Sequence, residues 1–166
     1  IWKQMDGRLT HFFTGCGTGG TITGTATYLK EQNRNVKVIA VQAQKNHLLQ
    51  GLRNFEESAM PDLFIRRQQV VDAWFTATND ESFHMVKELA SRENLLVGPS
   101  SGAVMASMLN VADKFDSGIM IGIFADDGRK FKSLYAEHGV FNLTEYERLL
   151  RANTYLPETA CPYSRN

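Results

Sequence analysis

Two cysteines in 166 residues, Cys16 and Cys161, are too few for a disulfide framework and lack metal-ligand spacing. They suit a reducing, cytoplasmic setting. Charge of one sign is missing as well: 18 basic side chains face 18 acidic ones, so no basic face points to nucleic acid. No apolar run reaches the roughly 18 residues of a membrane span, and there are no repeats or low-complexity tracts. The four histidines, His11, His47, His84 and His138, are scattered without metal-ligand spacing, and none suggests a catalytic role. What remains, at 43% hydrophobic and 22% charged, is the composition of a soluble domain with a real core.

Glycine is where the sequence is dense. The run Gly15-Cys16-Gly17-Thr18-Gly19-Gly20-Thr21 follows the apolar stretch Leu9 to Phe13 and precedes Ile22 to Lys30. It reads as strand, turn and helix. Glycines leave backbone N–H groups unshielded, threonines add hydroxyls, and a helix start presents its positive dipole end, so the run predicts an anion site with phosphate as the guest. Gly15-x-Gly17-x-x-Gly20 satisfies the dinucleotide pattern by spacing. That fingerprint also needs an acidic residue at the end of the second strand, about 20 positions on, where this chain has Gln42-Ala43-Gln44. A Walker A loop fails for want of Gly-Lys-Ser/Thr. The plain alternative is a tight turn whose glycines serve only helix contacts.

Strands are expected near Leu9–Thr14, Val36–Gln42, Ala73–Ala77 and Gly118–Phe124, and helices near Gly20–Asn33, Asp80–Glu93, Ser101–Phe115 and Thr144–Ala152. Thr78-x-x-Glu81 and Thr144-x-x-Glu147 read as capping boxes. The alternation implies an α/β fold: an open, doubly wound, mostly parallel sheet with helices on both faces. Such sheets hold ligands beyond the carboxyl ends of their strands. The glycine run and Asp126-Asp127 both fall there, and Ser100 opens a helix after the short Leu95–Val97 run. As a preferred cap residue, Ser100 also fits an ordinary helix N-cap. Residues 1–154 are expected to form the α/β domain, and the aperiodic segment 155–166 an irregular tail.

The run Gly17-Thr18-Gly19-Gly20-Thr21 resembles the phosphate cup of the cysteine synthase and cystathionine β-synthase family, the fold type II enzymes of pyridoxal 5′-phosphate. Val97-Gly98-Pro99-Ser100-Ser101-Gly102-Ala103 is similar to the family's serine motif, and Phe124 to Phe131 to the segment leaving its last core strand. The likeness runs from Ile1 to about Leu134. It implies cofactor contacts at Gly17, Thr18, Gly19, Gly20, Thr21 and Ser100, the serine facing the pyridine nitrogen with Asp126 and Asp127 nearby. It also implies substrate contacts at Gly51 and Arg53, the arginine resembling the cysteine synthase B branch, where a guanidinium meets an anionic group.

Under this resemblance the whole enzyme replaces the β-substituent of O-acetylserine or O-phosphoserine with sulfide, or joins serine to homocysteine. Two other classes stay open: a nucleotide-binding oxidoreductase domain and a non-catalytic phosphate-binding module. The family's cofactor-bearing lysine sits in a Ser-x-Lys-x-Arg type motif near the amino end, and its substrate-carboxylate loop is a Thr/Ser-Gly-Asn motif; this chain has neither. Its lysines, Lys3, Lys30, Lys37, Lys45, Lys87, Lys114, Lys130 and Lys132, all read as solvated surface. The chain is therefore expected to be the carboxyl half of a larger enzyme, partnered by an amino-terminal half and forming a homodimer. No catalytic residue is assigned within it.

Overall fold

The computed structural model describes residues 1–115 and 117–153, so the expected tail at 155–166 and Cys161 lie outside the described residues. Four strands, β1 (His11–Gly15), β2 (Lys37–Ala43), β3 (Ala73–Ala77) and β4 (Met120–Gly122), form one sheet in the order β3-β2-β1-β4. Every neighbouring pair is parallel, with Phe13 opposite both Ile39 and Gly122. The helices are α1 (Gly20–Gln32), α2 (Asp62–Ile65), α3 (Asn79–Arg92), α4 (Pro99–Ala112), α5 (Lys132–Glu137) and α6 (Leu143–Ala152). The short α2 and α5 have no counterpart among the expected helices.

Strand alternation sorts the core into two layers. Phe12, Val38 and Ala40 meet Ile22, Ala26 and Leu29 of α1, while Phe13, Ile39 and Val41 meet Ala103 and Val104 of α4. Helices thus cover both faces, as a parallel sheet requires. A third cluster, built on Phe131, Tyr135, Phe141, Tyr146 and Leu149, joins α5 and α6 to α3.

Three expectations need correction. The last strand is shorter than Gly118–Phe124 because Gly118 takes φ +157° and Ile119 is bonded partly by a side chain, Thr10 Oγ1 donating to its carbonyl at 2.9 Å and accepting from its N–H at 2.8 Å. The second capping box uses Asn142 and Glu145 rather than Thr144 and Glu147. The choice follows from the flanking residues: starting at Asn142 puts buried Phe141 before the cap and Tyr146 at the fourth helical position, their rings 6.4 Å apart as a hydrophobic staple. A start at Thr144 would instead put Leu143, 61% exposed, in the staple position. Finally, Lys30 is not a free surface lysine. Its ammonium lies 2.5 Å from Asp72, whose carboxylate also accepts the Val38 N–H at 2.8 Å, and its side chain is only 21% exposed.

Candidate active site

The strand order reverses between β1 and β4, because β2 and β3 build outward on one side of β1 and β4 returns to the other. The loops leaving β1 and β4 therefore diverge, and a crevice opens between them. A cavity of about 430 Å³ occupies it, within the size range of small-molecule sites. Its lining brings together Gly17, Thr18, Gly19, Gly20, Thr21, Gly51, Arg53, Ser100 and Asp126. Asp127 does not line it. That carboxylate is drawn away to Arg129, accepting the backbone N–H and Nε at 2.9 and 2.8 Å, and the Arg129 hydrogen bonds hold its carboxyl below the usual range.

The cup is shaped by what glycine lacks. A Cβ on Gly17 would stand 2.5 Å from the Gly51 carbonyl oxygen, and one on Gly15 would stand 2.5 Å from Leu52 Cδ2. Only bare backbone lets residues 51–53 cross the cup so closely. Gly19, at φ +81°, turns the chain into α1. The crossing segment is tied down by Arg53 N–H to the Cys16 carbonyl (3.1 Å), Ala43 N–H to the Arg53 carbonyl (3.1 Å) and buried Asn54 Nδ2 to the Ala43 carbonyl (2.8 Å). Arg53 keeps its side chain exposed at the cavity rim.

Helix ends identify the polar side of the cavity. Among the four described helices of ten or more residues, α3 and α6 are closed by side-chain capping boxes. The other two, α1 and α4, have glycine N-caps, no side-chain cap and no acidic residue in the first turn. Both uncapped ends open on the cavity, through Gly20 and Thr21 on α1 and Ser100 on α4. The α1 end leaves the Gly20, Thr21 and Ile22 N–H groups without an intrahelical partner; on α4, Pro99 has no N–H and Ser101 donates to the Gly98 carbonyl at 3.0 Å, so Ser100 supplies the free N–H there, and both ends suit an anionic or acceptor ligand. The Thr23 hydroxyl is spent on the Gly19 carbonyl at 2.7 Å, so Thr18 and Thr21, both exposed, carry the cup's free hydroxyls.

Ser100 is the second residue of α4, behind the Gly98 cap and Pro99, so it is not the helix N-cap; it is 6% exposed. A Cβ at Gly51 would lie 3.5 Å from Asp126 Oδ2 and 3.9 Å from Ser100 Cβ, which puts Gly51 against both. Sequence reasoning missed the apolar wall made by Leu52, Val104, Ile123 and Ala125. The strand-end position of Ile123 and the inward face of α4 were the signals for it. Among the described residues, no lysine lines the cavity. Cys16 is fully buried beneath the cup, and burial pushes its thiol up to about 11, leaving it protonated and inert.

Gln42 bears on the dinucleotide alternative. Its amide donates to Thr76 Oγ1 at 3.0 Å and its oxygen faces the Phe55 N–H at 3.5 Å, so the end of β2 offers no free acidic acceptor for a ribose. Among the described residues there is no cluster of metal-binding side chains, and no helix is long and apolar enough to cross a membrane.

Residues 1–126 match the family described as pyridoxal-phosphate dependent enzyme. A cysteine synthase from Aquifex aeolicus is 37% identical over 136 residues, which cover 79% of this chain and 41% of that protein. Cysteine synthase B from Salmonella typhimurium is 34% identical, covering 80% and 43%. The crystal structure of an O-acetylserine dependent cystathionine beta-synthase from Helicobacter pylori superposes with a TM-score of 0.72 at 30% identity, covering 80% and 45%. The chain thus spans less than half the length of the relatives it matches. It belongs to the pyridoxal-phosphate dependent enzymes, in the fold type II group of the cysteine synthases and cystathionine β-synthases.

Proposed function

We propose that the cavity holds pyridoxal 5′-phosphate, with the phosphate on the N–H groups and hydroxyls of Gly17 to Thr21 and the pyridine nitrogen at Ser100. The observation that carries this reading is the convergence of two uncapped helix starts on one crevice at the switch point of the sheet. The glycine cradle supports it: the close approach of Gly51 to Gly17 leaves a backbone-lined cup. The apolar wall of Leu52, Val104 and Ile123 offers the ring a dry surface.

Bound there, the cofactor supplies an electron sink for cleaving bonds at the α- and β-carbons of an amino acid. Ser100 would offer the ring nitrogen a neutral hydroxyl and no carboxylate to hold a proton there, a setting that would favour β-elimination over deeper carbanion chemistry. Arg53, at the rim, faces the anionic part of an incoming substrate or its leaving group. The whole protein, on this reading, replaces the β-substituent of O-acetylserine or O-phosphoserine with sulfide to give cysteine. The lysine that carries the cofactor and moves the α-proton would come from polypeptide outside this chain, and the assembly would be a homodimer.

A cystathionine β-synthase type reaction, with homocysteine in place of sulfide, is the second reading, and the Helicobacter pylori structure favours it. Binding is tested with pyridoxine 5′-phosphate, which carries no aldehyde to react with surface lysines. Affinity well above that for inorganic phosphate supports the cofactor site, whereas equal affinities would leave a simple phosphate-binding module. Offering the complete protein sulfide and homocysteine in competition separates the two reactions.

A further inference from the structure

Beyond the last tie to the sheet, Ile123 N–H on the Phe13 carbonyl at 3.1 Å, the ring end of the cavity stands on two loops, 96–100 leading into α4 and 124–131 following β4. They are zipped to each other. Val97 and Asp127 form an isolated antiparallel bridge, with Gly98 N–H on the Asp126 carbonyl at 2.9 Å and Gly128 N–H on the Leu96 carbonyl at 3.0 Å. Glycine is required at both crossings. A Cβ on Gly98 would meet Asp126 Cβ at 2.5 Å and Phe131 Cε2 at 2.6 Å, and one on Gly128 would meet the Val97 oxygen at 2.7 Å. Ser100 is two residues beyond one crossing and Asp126 lies on it, so the zipper sets their separation.

Two buried tyrosines hold this zipper from behind. Tyr135 on α5 is fully buried and donates its hydroxyl to the Val97 carbonyl at 2.5 Å. Tyr146 on α6, 3% exposed, places its hydroxyl 3.1 Å from the carbonyl oxygens of both Gly128 and Arg129. Each tyrosine serves a different loop, and their rings pack edge to face at 6.4 Å. Both lie beyond residues 1–126, the part that matches the family.

We propose that Tyr135 and Tyr146 are positioning residues for the ring end of the cavity: their hydroxyls anchor the two loops that carry Ser100 and Asp126. The proposal rests on the cofactor reading above. It assigns the segment 128–153 a part in ligand geometry as well as in stability. The phosphate cup, on the other side of the cavity and fixed by β1 and α1, is independent of this anchor.

The test compares Tyr135→Phe and Tyr146→Phe with Leu149→Ala, which removes buried volume from the same cluster and touches neither loop carbonyl. Calorimetric titration with pyridoxine 5′-phosphate should show each phenylalanine variant weakened about threefold to tenfold, the worth of one aligned hydrogen bond. Inorganic phosphate affinity should stay within about twofold in the same variants. Leu149→Ala should weaken neither ligand selectively, although it costs more stability. Parallel loss of both ligands, no loss in the phenylalanine variants, or the same split in Leu149→Ala would each overturn the proposal.

If the unmutated protein binds pyridoxine 5′-phosphate no better than phosphate, the cofactor reading fails, and the anchor is judged by amide exchange. The Gly98 and Gly128 amides should then exchange faster in Tyr146→Phe than in Leu149→Ala, each measured relative to its own global stability. Equal relative protection would remove the anchor too.

Discussion

Helix α4 reaches the cavity only by lying unusually close to α3, and Gly102 is the residue that permits it. A Cβ there would stand 2.2 Å from the Ser82 carbonyl oxygen and 2.9 Å from Val86 Cγ2, where ordinary contact begins at 3.4 Å. The first obstacle is the backbone of a helix closed by a complete capping box, so it has little freedom to give way. Gly102→Ala sets two effects against each other: about 1 kcal/mol gained from helix propensity and about 1–3 kcal/mol lost to overpacking. With a carbonyl as the obstacle, the upper end of that loss applies, and the net cost is about 1–2 kcal/mol. For a chain of this length that lowers Tm by about 2–8 °C. Gly24→Ala is the internal control: Gly24 also sits inside a helix, but nothing lies within 4 Å of its Cβ position, so it should stabilise by about 0.5–1 kcal/mol. Urea unfolding followed by far-ultraviolet circular dichroism measures both as shifts in midpoint at constant slope. Shifts of the same sign, or a Gly102→Ala chain at least as stable as its parent, would refute the close approach of the two helices.

Thr21→Ala should weaken inorganic phosphate and pyridoxine 5′-phosphate in parallel, by about threefold to tenfold in calorimetric titration, because it removes a hydroxyl from the phosphate end. In the complete protein, Arg53→Ala should reduce kcat/KM for O-phosphoserine about tenfold more than for O-acetylserine, as loss of one charge-assisted contact implies; steady-state kinetics showing equal losses would reject the arginine's role. The 166-residue chain with added cofactor should form no cysteine above background, since no lysine among the described residues lines the cavity, and measurable turnover would overturn that assignment. Burial, reinforced by Lys37, holds the His11 imidazole below its usual value of 6.5. The neutral form is therefore favoured by folding, and the stability it confers is complete above about pH 6.5 and lost as pH falls through the lower folded value. His11→Gln should flatten this slope in unfolding curves recorded between about pH 5 and 7.

Features whose cause is local were open to reading from the sequence. The glycine run announces a backbone-lined turn because no other residue type permits the crossing at Gly17, and the short apolar runs Leu9–Phe13 and Val36–Val41 place the central strands to within a residue or two. Asp126 and Asp127 show where such reading stops. Adjacent in sequence, they part in space because the Arg129 guanidinium captures Asp127 while the backbone bond from Gly98 holds Asp126 at the cavity. The start of α6 was misread for a related reason: two cap-and-acid pairs overlap, and the staple between Phe141 and Tyr146 decides between them through a contact that spacing alone does not rank. Nothing in the sequence around Tyr135 or Tyr146 marks the role of their hydroxyls. Their hydroxyl partners lie 38 and 17 or 18 residues away, and no local pattern encodes them.

The strand order also governs when the cavity can exist. Strand β4 closes on β1 through contacts such as Thr10 to Ile119, 109 residues apart, and loop closure of that span is entropically costly and slow relative to the nearby β1–β2 pairing. Ile123, Ala125 and Asp126 reach the crevice only with that closure. Before it, a growing or refolding chain has a cup but no opposite wall. A ligand spanning the two therefore acts late: it holds the finished sheet shut and slows unfolding, while the climb to the transition state proceeds without its help.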